Sequence, residues 1–250
     1  MSAAQAPPRR WAWLAPFAVD PRALCALRVG LAALVLADLA SRAADLTVFY
    51  TDQGVLPREA LRDPEATLPP LSLHLLAASP AGVAALFALA ALAAVALAVG
   101  FHARLAALAS SLLAISLQHR NPTLLSGGDQ LLALLLLWCS FAPLGRRAAR
   151  AAPAARAAPI VSAGTAAIVI QISVVYLSTG LFKLRESPPW LDGTAVALAL
   201  QDVSVTRLGA ALRAHPSLTA GLTWAVLAIE LLAPLLILAP VAQAAHVRGG

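Results

Sequence analysis

Tyr176, Thr179 and Lys183 stand at i, i+3 and i+7 of a long apolar run, so a helix there carries them as one polar stripe. Seventeen of the eighteen basic residues are Arg, and Lys183 is the one Lys. A Lys at a helix end can snorkel to the interface. It can also shed its proton on burial and serve as a base, which Arg cannot do. Because an anchor in this chain would by habit be Arg, Lys183 is the candidate base. Other ionisable groups interrupt apolar runs: Arg28, Asp38 and Arg42 in one, Asp129 in another, Glu230 in a third. Asp38 and Arg42 are i, i+4 neighbours and can pair, and Arg28 falls within about 80° of Asp38 on a helical wheel. Internal ion pairing among these three is as good a reading as a functional one. Glu230 has no basic neighbour in its own run, so it needs a partner on another helix or a chemical role. A charge at the centre of a membrane helix costs roughly 2.5–3.5 kcal/mol on insertion scales, so such groups face a partner or a cavity.

The elements that must position these residues follow from composition. The chain has 250 residues, 60% hydrophobic and 12% charged, with a mean hydropathy of +0.79. Soluble domains carry about twice that charge. An ordinary soluble enzyme, a disordered chain and a nucleic-acid-binding module are excluded, and the +6 net charge is spread thinly between apolar runs. Cys25 and Cys139 both lie in apolar runs, and the five His residues show no metal spacing, so no disulfide framework or metal centre is expected. Gly127-Gly128-Asp129 lacks the strand and Lys of a phosphate loop, and Ser110-Ser111 reads as a helix-packing pair.

The expected fold is all-α, a polytopic transmembrane helix bundle of about six spans: 22–44, 80–100, 102–118, 123–143, 160–183 and 219–239. Asn121-Pro122 suits the start of the fourth, with Asn as N-cap and Pro as first helical residue, which puts Asp129 about two turns in. Residues 1–21 form an interfacial N-terminal segment with Trp11 and Trp13, 22–240 the membrane domain and 241–250 a short tail. The first apolar run is too long for a cleavable signal peptide. Arg146, Arg147, Arg150 and Arg156 place the loop between spans four and five in the cytoplasm, and both termini with it. The 45–79 loop, with five acids against two bases, then falls outside. So do the 119–121 turn and the 183–193 segment, and three polar clusters gather on one membrane face.

These residues resemble a known family. Asp20-Pro21-Arg22 with Arg28, followed by Phe49-Tyr50-Thr51-Asp52-Gln53-Gly54-Val55-Leu56-Pro57-Arg58, looks like the opening of the HTTM (horizontally transferred transmembrane) domain shared with the vitamin K-dependent gamma-carboxylases. Arg120-Asn121-Pro122 with Gly127-Gly128-Asp129 resembles its second motif. Gln171, Tyr176, Lys183 and Trp190-Leu191-Asp192-Gly193-Thr194-Ala195 resemble its third, and Glu230 with Pro234 its fourth. The likeness runs from about 18 to 240. In those carboxylases a lysine before a Trp and Gly deprotonates reduced vitamin K, and the oxygenated product abstracts a glutamyl gamma proton for CO2 addition. The resemblance implies that Lys183 is the base, with Trp190 and Gly193 as motif partners, a reduced quinone as cofactor and an exported peptide as substrate. The carboxylases continue into a large β-rich lumenal region, whereas about ten residues follow span six here.

Two classes of function follow. One is quinone-linked modification of an exported peptide at the outer face of a bacterial inner membrane. The other is a non-enzymatic membrane partner that helps a secreted peptide mature, or a lipid- or small-molecule-binding bundle. A transporter is disfavoured, because neither an inverted repeat nor paired broken helices is visible.

Overall fold

The computed structural model describes residues 9–61, 72–77, 79–144, 159–201 and 206–239. Among them the chain is all-α, with one isolated antiparallel bridge between Val19 and Ile160. The helices are α1 Pro21–Ala43, α2 Leu46–Tyr50, α3 Pro80–Val99, α4 Ala103–Arg120, α5 Gly127–Ser140 and α6 Ala163–Glu186. They continue with α7 Pro188–Leu191, α8 Ala195–Ala199, α9 Arg207–Arg213 and α10 Pro216–Leu238. The Arg cluster at 146–156, part of the 45–79 loop and the 241–250 tail lie outside the described residues.

Local chemistry sets the helix boundaries. Asp20 caps α1 by accepting from the Arg22 N–H at 2.6 Å, with Pro21 as the first helical residue. Ser79 and Pro80 repeat the device for α3, which ends on Gly100 in the left-handed conformation. At the start of α6, Ser162 and Thr165 exchange backbone-to-hydroxyl hydrogen bonds of 2.8 and 3.1 Å.

Four helices, α1, α3, α6 and α10, are long and apolar enough to cross a membrane, so the chain is a multi-pass membrane protein. About six spans were expected, with the third a short one and the fourth of full length only from Pro122; these two do not reach the length and apolarity of the other four. The third predicted span is α4, 18 residues with Arg104, His119 and Arg120 at its ends. The fourth is α5, only 14 residues, which at ~1.5 Å per residue is about 21 Å against a hydrocarbon core of about 30 Å. Its helix begins at Gly127 and not near Pro122. Asn121 caps a separate 3-10 turn, Pro122–Leu124, while Ser126 and Asp129 close a capping box that starts α5. Asp129 therefore sits in the first turn.

The chain divides into two compact units, 17–168, and 169–250 with 1–16. In the first, α1, α3, α4 and α5 pack as a bundle, with α1 against α3, α3 against α4, α4 against α5 and α5 against α1. Ala32, Ala94 and Ala107 are fully buried and Ala133 nearly so, which lets the backbones approach. Leu34, Leu89, Leu92 and Leu112 face outward, the pattern of a bundle whose surroundings are themselves apolar. Arg104 donates to the Ser140 carbonyl at 2.9 Å, joining the start of α4 to the end of α5. At the opposite end Gln118 donates to the Asp129 carbonyl at 2.8 Å. Short as they are, α4 and α5 run antiparallel along the bundle. In the second unit α8, α9 and the short α7 pack on α10.

Candidate functional site

In the second unit, Gly180 lies one turn before Lys183 and faces α10. A β-carbon there would come within 2.9 Å of Leu231 Cδ2 and 3.3 Å of Glu230 Cβ. The missing side chain leaves room for the Leu231 side chain and the stem of Glu230 against α6, and Lys183 Nζ meets Glu230 Oε1 at 2.5 Å. Each side chain is only 14% exposed. Trp190, carried on α7, lies 3.9 Å by its ring centroid from the same Nζ, a cation–π distance. Asp192 follows as the cap of α7 with its side chain exposed.

The turn that delivers Trp190 depends on Gly193, whose φ is +77° and whose Cα faces Trp224 and Ala220 of α10. Val196 N–H donates to Thr223 Oγ1 at 3.1 Å and fixes α8 to the same helix. Gly193→Ala combines left-handed strain with a β-carbon 2.5 Å from Trp224 Nε1. It should cost at least about 1–3 kcal/mol, read as a lower thermal midpoint of the detergent-purified protein. An unchanged midpoint would mean that the turn is not held as described.

Beside the pair lies a groove of about 290 Å3 lined by Val175, Tyr176, Thr179, Val226, Ile229 and Glu230. Thr179 donates to the Val175 carbonyl of its own helix, leaving its oxygen free to accept. Glu230 Oε2 is buried and has no hydrogen-bond partner among the described residues. The expected stripe is thus split in use: Tyr176 and Thr179 line the groove, whereas Lys183 turns to Glu230 and Trp190. Chemically, the cluster offers a short hydrogen bond between amine and carboxylate, a carboxylate oxygen without a partner among the described residues and apolar walls.

The other predicted residues belong to the first unit. Arg42 is their hub: Nε reaches Asp38 at 2.7 Å, one terminal nitrogen the Tyr50 hydroxyl at 2.8 Å, the other Asp129 at 2.7 Å. Burial pushes the Tyr50 phenol above its ordinary range, against the opposing pull of Arg42. Arg28 does not join Asp38. Its guanidinium contacts the Leu144 carbonyl at 3.5 Å and Cys25 Sγ at 3.6 Å, because ten residues of helix separate it from Asp38 along the axis.

Asp52 makes a two-oxygen pair with Arg58, at 2.8 Å on Oδ2, and stands 3.5 Å from the fully buried Arg120. Burial raises the Asp52 carboxyl, but the backbone and guanidinium hydrogen bonds of Arg58 and the charges of Arg58 and Arg120 hold it below the usual carboxylate range. Arg120 also donates to the Leu56 carbonyl at 2.8 Å, and Asn121 to the Phe49 carbonyl at 3.0 Å. Together Arg120 and Asn121 tie the end of α4 to the 45–58 loop. His74, 1% exposed, is pushed down to about 4 by burial and by the charge of Arg120, so its ring is neutral at ordinary pH.

No protein family, curated protein or solved structure matches this chain.

Geometry therefore has to carry the functional reading. It assembles Lys183, Trp190 and Glu230 in one place, and Asp38, Tyr50 and Asp129 in another. Arg58, Arg120 and His74 were not among the predicted site residues, and Arg42 was weighed only together with Arg28 and Asp38. Arg42 was legible as the i+4 partner of Asp38, but its second carboxylate, Asp129, comes from a helix far along the chain. His74 carried no signal, since a lone His near a span end is ordinarily solvated.

Proposed function

We propose that the chain is a six-crossing inner-membrane protein of the HTTM type with both termini cytoplasmic. Its Lys183–Glu230–Trp190 cluster moves a proton for the quinone-linked modification of an exported peptide at the outer face. The observation that carries this reading is the 2.5 Å contact between Lys183 Nζ and Glu230 Oε1 at the edge of a partly apolar groove. Two charges held out of water are costly. Passing one proton from Lys183 to Glu230 leaves a neutral amine with a lone pair, which is what a base requires.

The groove residues fit a reduced quinone, a flat apolar ring bearing two hydroxyls. Val175, Val226 and Ile229 would pack on the ring, and the unpartnered Glu230 Oε2 would accept from one hydroxyl. Bound, such a quinol supplies an ionisable hydroxyl and reducing electrons. Lys183 and Glu230 hold or release the proton, Trp190 steadies the ammonium form, and the apolar walls exclude water. Titrating the protein in nanodiscs with a reduced short-chain naphthoquinone should give saturable binding that Glu230→Gln weakens. Equal binding by Ile229→Glu, which puts a charge on the ring wall, would sink the groove assignment.

The six-crossing arrangement is supported by the antiparallel run of α4 and α5 within the bundle and by the basic loops. Single cysteines at Asp52 and Arg150 should label from opposite sides of intact cells, Asp52 from outside. Labelling of both from one side would end this topology.

One observation favours the second reading. Glu230 and Trp190 both stabilise an ammonium on Lys183. On that account the cluster is a clasp between α6 and α10, and the chain is a non-enzymatic membrane partner of a maturing secreted peptide. Lys183→Arg separates the two readings.

A further inference from the structure

Within the 17–168 unit, the bundle holds a small, partly open cavity with room of about 20 Å3. Its polar lining is Asp38 from α1, Ser110 from α4 and His74 from the 3-10 turn Leu73–Leu75; the rest is apolar, including Leu113, Ala114 and Leu132. His74 and Ser110 are each 99% buried, and His74 Nε2 and Ser110 Oγ have no hydrogen-bond partner among the described residues. Asp38 gives Oδ1 to Arg42. Three polar side chains thus border one cavity, two of them with an atom left over.

Size decides what can satisfy them. One water needs about 10–15 Å3 measured in this way, together with two to four polar partners. A cavity of about 20 Å3 accommodates one water and excludes an organic ligand. Buried polar atoms are nearly always paired, with protein or with ordered water. A dry cavity of this volume would be expected only with an apolar lining.

We propose that this cavity is a binding site for a single structural water, held by His74 Nε2, Ser110 Oγ and the Asp38 carboxylate. Beyond it, His74 Nδ1 lies 2.8 Å from Ser116 Oγ, which also accepts from the His74 backbone N–H at 3.0 Å. Ser116 Oγ is 3.2 Å from Ser72 Oγ, and Ser72 is partly exposed. The water completes a hydrogen-bonded row from Ser72 through Ser116 and His74 to Asp38 and the Arg42 cluster. A neutral imidazole, with one donor and one acceptor nitrogen, suits the middle of such a row.

The test uses the full chain in detergent or nanodiscs and reads thermal midpoints. Ala114→Val fills the cavity. With water bound it displaces the water and strands three polar groups, so the midpoint should fall by several degrees, at about 2–4 °C per kcal/mol for a chain of this size. With a dry cavity the added methyls improve packing and the midpoint rises, which would overturn the proposal. If Ala114→Val fails to insert, Ser110→Ala decides, because it deletes only an oxygen. It lowers the midpoint if that oxygen holds a water and raises it if the oxygen is merely stranded. The Ser110→Ala and His74→Leu effects should also be non-additive, since both remove partners of the same molecule. Exchange of sodium for choline should leave the midpoint unchanged. A sodium-dependent rise would replace the water with a cation and overturn the assignment.

Discussion

Lys183→Ala should remove about 3–5 kcal/mol of stability, and adding Glu230→Leu to it should return a large part of that loss. The single substitution leaves the Glu230 carboxylate, 14% exposed, without its cation and with its second oxygen already unpartnered. The double variant leaves no charge to strand. Unfolding of the purified variants by heat or denaturing detergent measures both, and a Lys183→Ala protein as stable as the wild type would mean that the pair is not buried as described. Lys183→Arg probes chemistry instead of stability. Arg keeps the cation for Glu230 and Trp190, so membrane-inserted protein should stay near the wild-type level. Its pKa exceeds about 12, so it cannot hand over a proton. Loss of the cellular phenotype in that variant supports the base, whereas full function removes Lys183 from proton transfer and leaves the clasp reading.

Arg42→Leu is the second large effect expected, again about 3–5 kcal/mol. Arg42 binds two carboxylates and a phenol at 2.7–2.8 Å, and its contact with Asp129 ties α1 to the first turn of α5. Removing it leaves Asp38 and Asp129 without their shared cation. Arg42→Lys should fall between, since an ammonium cannot span three partners in the fixed fork of a guanidinium. In the Leu background, Asp129→Asn should recover part of the loss, because one of the two uncompensated charges is gone. The check is the same unfolding series, with the double variant included. Full wild-type stability in Arg42→Leu would dissolve the cluster as a structural element.

What could be read in advance was whatever depends on short range. The Asp38–Arg42 pair follows from helical periodicity. The long spans follow from apolar length, and the starts of α1 and α3 from Asp20-Pro21 and Ser79-Pro80. The misplaced start of α5 was legible too: Ser126-Gly127-Gly128-Asp129 has the spacing of a capping box, outranked by the more familiar Asn-Pro signal. Contacts between distant segments were a different matter. Nothing near Arg120 shows that it will be fully buried against Leu56 and Asp52, and no periodicity assigns Lys183 to Glu230. Both depend on how helices lie against each other, set by details such as the bare Cα of Gly180.

The solitary placement of Arg28 has a consequence for a cell that maintains a voltage. Arg42 with Asp38 and Asp129 sums to one negative charge, while Arg28, about 21 Å away along α1 at ~1.5 Å per residue, contributes one positive charge with no carboxylate in contact among the described residues. On the proposed topology, which puts the N-terminus in the cytoplasm, the positive end points toward the side that is electrically negative at rest. A charge crossing the whole membrane exchanges about 2.3 kcal/mol per 100 mV. This separated pair, spanning well over half of the hydrocarbon thickness, gains on the order of 1 kcal/mol from a polarised membrane. De-energised vesicles should therefore hold the protein slightly less firmly than respiring cells do.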